Sequence, residues 1–359
     1  MPAAMTVQGA VNPDTLGFTL MHEHLLFDTS AWFVEASDER KRAIGKRPVE
    51  PEILEDLRRD PFINRDNLVM RDEDIAVAEL AFFRHAGGGT VVDVTTADKQ
   101  RDPVALRQIS ERAGVSVVMG TGYYTRPNHP PEVQDLSVDA LAEWMIDEIR
   151  NGVADTGVRP GIIGEIGLSG SIHPDEEKVL RAAGLASRET GLAISVHQPV
   201  PYEKNGGKAL NILEEQGVDL DRVIICHMSH SISDLDYHRS LVARGASIEY
   251  DRFGAEFYWE SWQGGPFGDP DGKGGYREPR DSDVVDAVAQ LVHEGYARQI
   301  LLSHDIAFRI QLRRFGGHGF DHVARHVLRY LLDRGVGSED IDEMTIHLPR
   351  RLLTVRADG

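Results

Sequence analysis

Thr19-Leu20-Met21-His22-Glu23-His24 closes an apolar run and reads as the end of a β-strand. Side chains two apart on a strand face the same way, so His22 and His24 present two imidazoles on one face at its C-terminal end. Working outward, seven further apolar, β-branched runs follow Gly17–His22: Thr90–Thr95, Ser116–Gly120, Gly161–Glu165, Ala193–His197, Val223–His227, Ala246–Asp251 and Gln299–His304. Amphipathic stretches between them predict helices at Asp72–His85, Val138–Arg150, Glu176–Glu189, Leu235–Arg244 and Ser282–Glu294. Gly87, Gly114, Gly191, Gly217, Gly245 and Gly295 mark helix ends. Strand and helix in alternation imply the α/β class with a parallel sheet. Eight repeats imply a closed (β/α)8 TIM barrel, one domain over residues 1–359. Two segments exceed that minimal pattern. Residues 26–70 follow the first strand. Residues 252–280 follow the seventh and carry Phe257, Tyr258, Trp259, Trp262, Phe267 and Tyr276. Both fall on the C-terminal face of a barrel, where long loops act as lids, substrate walls or dimer contacts.

A barrel gathers its strand ends around one mouth. His22 and His24 end the first strand, Glu165 the fourth, His197 the fifth and His227 the sixth, while Asp305 follows the eighth. Four imidazoles and two carboxylates can hold two divalent ions if one carboxylate bridges them. Imidazole favours Zn2+, with Co2+, Mn2+ or Fe2+ also fitting. Paired ions supply a bridging hydroxide at neutral pH. The chain has 15 histidines, so one histidine alone carries little weight. Six ligand-type side chains at strand ends carry much more.

Other residues read differently. Glu23 alternates to the opposite strand face and is expected to buttress the barrel, and His304 to point away from Asp305. His318, His322 and His326 are spaced for one helical face without a carboxylate pattern, so a helix surface is expected. His230, just past His227, is a reserve ligand or a substrate contact. Arg252 would hold an anionic substrate group or form a salt bridge in the rim. Cys226, the single cysteine, sits in an apolar run and reads as a small buried hydrophobe.

A net charge of −19 argues against nucleic acid and against anionic membrane surfaces as partners. It fits a protein handling small-molecule substrates. No run approaches the ~20 apolar residues of a membrane span. The first eleven residues show no signal-peptide pattern, so the cytoplasm is the expected location.

One long resemblance joins these features. Gly17-Phe18-Thr19-Leu20-Met21-His22-Glu23-His24-Leu25, Val91-Val92-Asp93-Val94-Thr95-Thr96 with Arg101-Asp102, and Thr121-Gly122-Tyr123-Tyr124 are three of its carriers. Gly164-Glu165-Ile166-Gly167, Val196-His197, Cys226-His227 and Leu302-Ser303-His304-Asp305 complete it. The chain resembles the phosphotriesterase-related branch of the amidohydrolase superfamily from about Thr15 onward. The resemblance implies a (β/α)8 barrel with a two-metal site, and a possible homodimer. His22, His24 and Asp305 would hold the more buried ion, His197 and His227 the more exposed one, with Glu165 between them. Well-known members bridge with a carboxylated lysine. Glu165 offers the same two oxygens and single charge on a shorter arm, which sets high phosphotriesterase activity apart from the metal site itself.

The resemblance makes a lactone or carboxylic ester the expected substrate and implies that Tyr124 stands beside it; the bridging hydroxide would attack, with Asp305 as the catalytic proton acceptor. Phosphoester, phosphotriester or amide hydrolysis would use the same site. Two further readings are a non-catalytic small-molecule binding protein on this scaffold and a single-metal barrel with Glu165 as an acid/base group.

Overall fold

Eight parallel strands lie in unbroken sequential order: β1 (Phe18–Glu23), β2 (Gly88–Asp93), β3 (Ser116–Thr121), β4 (Ile162–Ile166), β5 (Ile194–Val196), β6 (Val223–Ile225), β7 (Ser247–Tyr250) and β8 (Ile300–Leu302). Each coincides with one of the runs read from the sequence. The structure is a computed structural model describing residues 2–199, 203–260 and 275–355. The β8–β1 seam is stitched by the Ser303 hydroxyl, which accepts from the His22 N–H at 3.1 Å and donates to the His22 carbonyl at 2.9 Å. The Asp305 N–H reaches the same carbonyl at 3.2 Å. With that seam closed, the sheet is a (β/α)8 barrel.

Strands of such a barrel are covered on both faces, which is why they read as near-continuous apolar runs. Val91, Val117, Ile163, Ile194, Ile224, Ile248 and Ile300 are fully buried. The five expected helices are present as Glu73–His85, Val138–Asn151, Pro174–Thr190, Leu235–Val242 and Asp281–His293. The six punctuating glycines all adopt positive φ. Several helices lie outside those five, two of them ten residues or longer in a single α-helical run. Pro103–Ala113 starts on Asp102, whose side chain accepts the Ala105 N–H at 3.0 Å, a legible start signal. Gly206–Glu215 begins with two glycines, which hide it from propensity.

The segment after β1 is a built wall. Its ends are zipped by antiparallel pairing of Phe27–Asp28 with Val69–Met70. Inside it the Asn64 amide donates to the Ile44 and Arg47 carbonyls at 2.7 and 2.9 Å. Ile53, Leu57, Phe62, Ile63 and Leu68 pack with Tyr124, Trp259 and Phe308 as an apolar cluster separate from the main core. After β7, Tyr258–Trp259 pairs with Tyr276–Arg277. Trp262 and Phe267 lie outside the described residues. Among the described residues no helix is long and apolar enough to cross a membrane.

Candidate metal centre

The ends of β1, β4, β5, β6 and β8 bring the six ligand-type side chains together. Glu165 Oε1 lies 2.8 Å from His227 Nε2, 2.9 Å from His197 Nδ1 and 3.5 Å from His22 Nε2. Asp305 Oδ1 lies 3.3 Å from His24 Nε2 and 3.8 Å from His22 Nε2. His197 Nδ1 and His227 Nε2 face each other across 2.8 Å. His22, His24, Glu165, His197 and His227 are all at least 95 % buried. His227 and Asp305 also adopt left-handed backbone, φ 62° and 49°. That conformation is costly for residues with a Cβ and collects at functional sites.

The partners behind the rings decide which nitrogen faces inward. The Thr95 hydroxyl lies 2.8 Å from His24 Nδ1, leaving Nε2 for the cluster. Asp251 takes the His227 N–H at 2.9 Å and His227 Nδ1 at 3.1 Å, again leaving Nε2 inward. A carboxylate behind a histidine is the usual support of a metal ligand. His22 Nδ1 stands 3.5 Å from Asp251 and 3.6 Å from Glu249. Cys226, Glu249 and Asp251 line this layer with His22. Cys226 is fully buried, as its sequence context suggests.

His22 Nε2 and His24 Nε2 are buried with no hydrogen-bond partner among the described residues. An orphaned buried polar atom costs ~1–3 kcal/mol, and two orphans aimed at carboxylates fit a divalent cation. Burial alone would push the Glu165 carboxyl up. The charges of His22 and His197 and the His197 and His227 contacts overcome it and hold Glu165 well below the usual carboxylate range. Burial opposes ionisation of Asp305 too, yet the His24 contact and the Arg252 charge keep it well below its ordinary value. Both carboxylates are therefore acceptors at neutral pH. His22, His24 and Asp305 form one converging ligand group, and His22, Glu165 and His227 another.

A cavity of ≈ 520 Å³, including its opening to solvent, leads onto these atoms. Trp32, Phe62, Tyr124, Trp259 and Phe308 give it an aromatic wall, and Lys99, His230 and Arg252 supply its other polar groups. The Tyr124 hydroxyl is 3.2 Å from His197 Nδ1. Arg252 donates to Asp305 Oδ2 at 2.8 Å and to Glu278 Oε1 at 2.7 Å, so its guanidinium is tied into the rim. His230 Nε2 pairs with Glu278 Oε2 at 2.7 Å, while its Nδ1 has no hydrogen-bond partner among the described residues. Lys99, Glu249, Asp251 in its supporting role and Glu278 are absent from the expected site. Lys99 lies between Thr96 and Arg101, in the gap between two carriers of the resemblance, and nothing in the sequence reading marked it.

Glu23 accepts the His304 N–H at 2.9 Å, His304 Nδ1 at 2.6 Å and the Ile306 N–H at 3.2 Å, so it braces the β1–β8 seam. His304 Nε2 accepts the Val323 N–H at 3.0 Å, away from Asp305. One expectation needs correction. His318 is not on a helix surface with His322 and His326. It precedes the helical residues Val323–Val327, in an irregular segment with Gly319 at φ 71°, and its ring stacks 5.5 Å from His304. The glycine turn breaks the helical spacing and tucks the ring inward. His322 meets Asp281, and only His326 of the three is exposed.

Comparison with known proteins agrees with this architecture. The family model described as "Phosphotriesterase family" matches residues 2–353. A phosphotriesterase-related protein of Nematostella vectensis is 34 % identical over 356 residues, covering 98 % of this chain and 99 % of that protein. An N-acetyltaurine hydrolase of Danio rerio is 34 % identical over 354 residues, covering 98 % and 97 %. The crystal structure of a resiniferatoxin-binding protein from Rhodobacter sphaeroides superposes with a TM-score of 0.92 at 37 % identity, covering 98 % of this chain and 94 % of that one.

Proposed function

Because this chain belongs to the phosphotriesterase family, we propose that it is a hydrolase that holds two divalent ions at the barrel mouth and cleaves a small carboxylic acyl substrate. The reading rests on one observation: Glu165 Oε1 stands within 3.5 Å of three imidazole nitrogens, while His22 and His24 keep orphaned Nε2 atoms beside Asp305. His22, His24 and Asp305 would hold one ion, His197 and His227 the other, with Glu165 shared. Ions there, Zn2+ first among candidates, would supply an ionised water at neutral pH and a polarised carbonyl.

The chain's own groups do the rest. Asp305 accepts a proton at Oδ2, and Arg252, bonded to that oxygen, holds the carboxylate in place; we assign Arg252 this positioning role ahead of substrate contact. Tyr124 donates its hydroxyl toward the bound acyl group, and burial in the aromatic wall keeps that hydroxyl protonated, its pKa well above the ordinary value. The wall excludes bulk water. An N-acyl amide is the first substrate class, supported by the Danio rerio N-acetyltaurine hydrolase, 34 % identical across nearly the whole chain. A lactone or carboxylic ester presents the same carbonyl with less need of activation and stands second. Phosphoesters stand third.

Chelated protein should lose turnover on a panel of N-acyl amides, lactones, esters and phosphoesters, and Zn2+ should restore it. Unchanged turnover in metal-free protein would overturn the reading. Kinship with a resiniferatoxin-binding protein at 37 % identity favours a second reading, a ligand-binding scaffold without chemistry. Tight binding with no turnover anywhere on the panel would select it.

A further inference from the structure

Arg252 and Glu278 stand near the two ends of the long segment after β7 and close its neck. Arg252 Nη2 donates to Glu278 Oε1 at 2.7 Å, across 26 residues of chain. Further bonds draw the neck shut. The Glu278 N–H reaches the Phe257 carbonyl at 3.0 Å, and the Gly254 N–H reaches Asp281 Oδ1 at 2.8 Å. Tyr276, two residues before Glu278, packs against Trp259 with ring centroids 5.2 Å apart, and Trp259 meets Phe62 at 5.3 Å. One short stretch therefore carries both a ring packed on the aromatic wall and a buried carboxylate.

That carboxylate is fully engaged. Glu278 is 1 % exposed. Its Oε1 takes Arg252, and its Oε2 takes His230 Nε2 at 2.7 Å. Burial alone would push the carboxyl up; the charges of Arg252 and His230 and their hydrogen bonds hold it below its ordinary value. A buried ion pair returns little net stability, because desolvation consumes most of the attraction. What it fixes here is orientation.

Arg252 passes that orientation on. Its Nη1 donates to Asp305 Oδ2 at 2.8 Å and lies 3.3 Å from the Asp305 carbonyl oxygen. Asp305 needs such a hold, since its backbone is left-handed at φ 49°. Arg252 Nε has no hydrogen-bond partner among the described residues, so among them the guanidinium plane is set by Asp305 and Glu278. Without the Glu278 anchor the guanidinium can turn about its remaining bond to Asp305, and the carboxylate turns with it.

We infer that Glu278 is a positioning residue: acting through Arg252, it fixes the direction of the Asp305 carboxylate and ties that direction to the seating of the segment after β7. The inference rests on the proposed hydrolase for the task of Asp305 and adds a residue that acts only through others.

A double-mutant cycle on full-length, metal-loaded protein tests it, with E278Q, R252M and the two combined. Each protein is read twice. Steady-state kinetics on the amide, lactone, ester and phosphoester panel give kcat and KM. The visible absorption of the Co2+-loaded form responds to the ligand field to which Asp305 contributes. E278Q should lower kcat by ~10–100-fold with KM little changed, and should alter the Co2+ bands. R252M should do the same, and adding E278Q to R252M should move neither readout further. Additive effects of the two substitutions overturn the inference. So does E278Q with wild-type kcat and wild-type Co2+ bands, or with a rise in KM alone. Should E278Q fail to fold, E278D, which keeps the charge but withdraws it by one methylene, takes its place in the same cycle. Wild type without turnover on any substrate, but with Co2+ bands that follow the cycle, would sink the hydrolase reading and leave Glu278 its role. Wild type that takes up no Co2+ overturns both.

Discussion

His22, His24, His197 and His227 turn ring nitrogens toward two carboxylates they share, Glu165 and Asp305. His304, His318, His322 and His326 form a second row in the same molecule, with successive ring centroids 5.2–5.5 Å apart. Density of imidazole is similar in the two groups, but the use of the nitrogens is not. In the second row His304 is spent on Glu23 and the Val323 N–H, and His322 on Asp281. Among the described residues His318 does leave Nε2 without a hydrogen-bond partner. Yet among the described residues no three ligand-type side chains converge there. A carboxylate bridge between two ions needs an acidic side chain that several rings can share, and the first group has one where the second has private partners.

The contrast can be broken most forcefully at Asp305. D305N should lower turnover by roughly 10²–10⁴-fold, since it removes a ligand and the proton acceptor together; steady-state kinetics beside metal analysis checks both losses. An imidazole outside both groups gives a reference for complete satisfaction. His238 lies between the Tyr250 hydroxyl at 2.7 Å and the Ser231 hydroxyl at 2.8 Å. Burial lowers its pKa from 6.5 to about 4. The unfolded chain binds that proton more readily, so the stabilisation is complete above pH 6.5. It should drain away as pH falls toward 4, by up to about 3 kcal/mol. Denaturant melts across that window should lose this increment in wild type and show a flatter pH profile in H238Q.

Much of this contrast was legible before any coordinates. Strand-end placement identified all six residues of the first group, because a barrel turns sequence periodicity directly into convergence. Spacing alone fails at His318, because a glycine turn at Gly319 breaks the helical register toward His322. Lys99 and Asp251 were harder. Lys99 reaches the cavity only because Asp98 contacts Tyr124 from another strand end. Asp251 gains its meaning from His227, 24 residues away in sequence. Such long-range contacts leave no periodic trace.

Smaller effects sharpen the comparison. D251N, which weakens the support behind His227, should reduce metal affinity by ~10–100-fold while leaving the fold intact, as read by competition with a chromophoric chelator. H322A should do the reverse. It removes the imidazole from Oδ2 of the buried Asp281, whose Oδ1 keeps the Gly254 N–H, costing about 1–3 kcal/mol in a denaturant melt, and leaves metal content at the wild-type level.

The shared carboxylate itself is tested by elemental analysis of metal-loaded, desalted wild type beside E165Q. A bridge at Glu165 predicts about two equivalents of divalent metal per chain in wild type and one or fewer in E165Q. One equivalent or none in wild type, or two in both proteins, would contradict it.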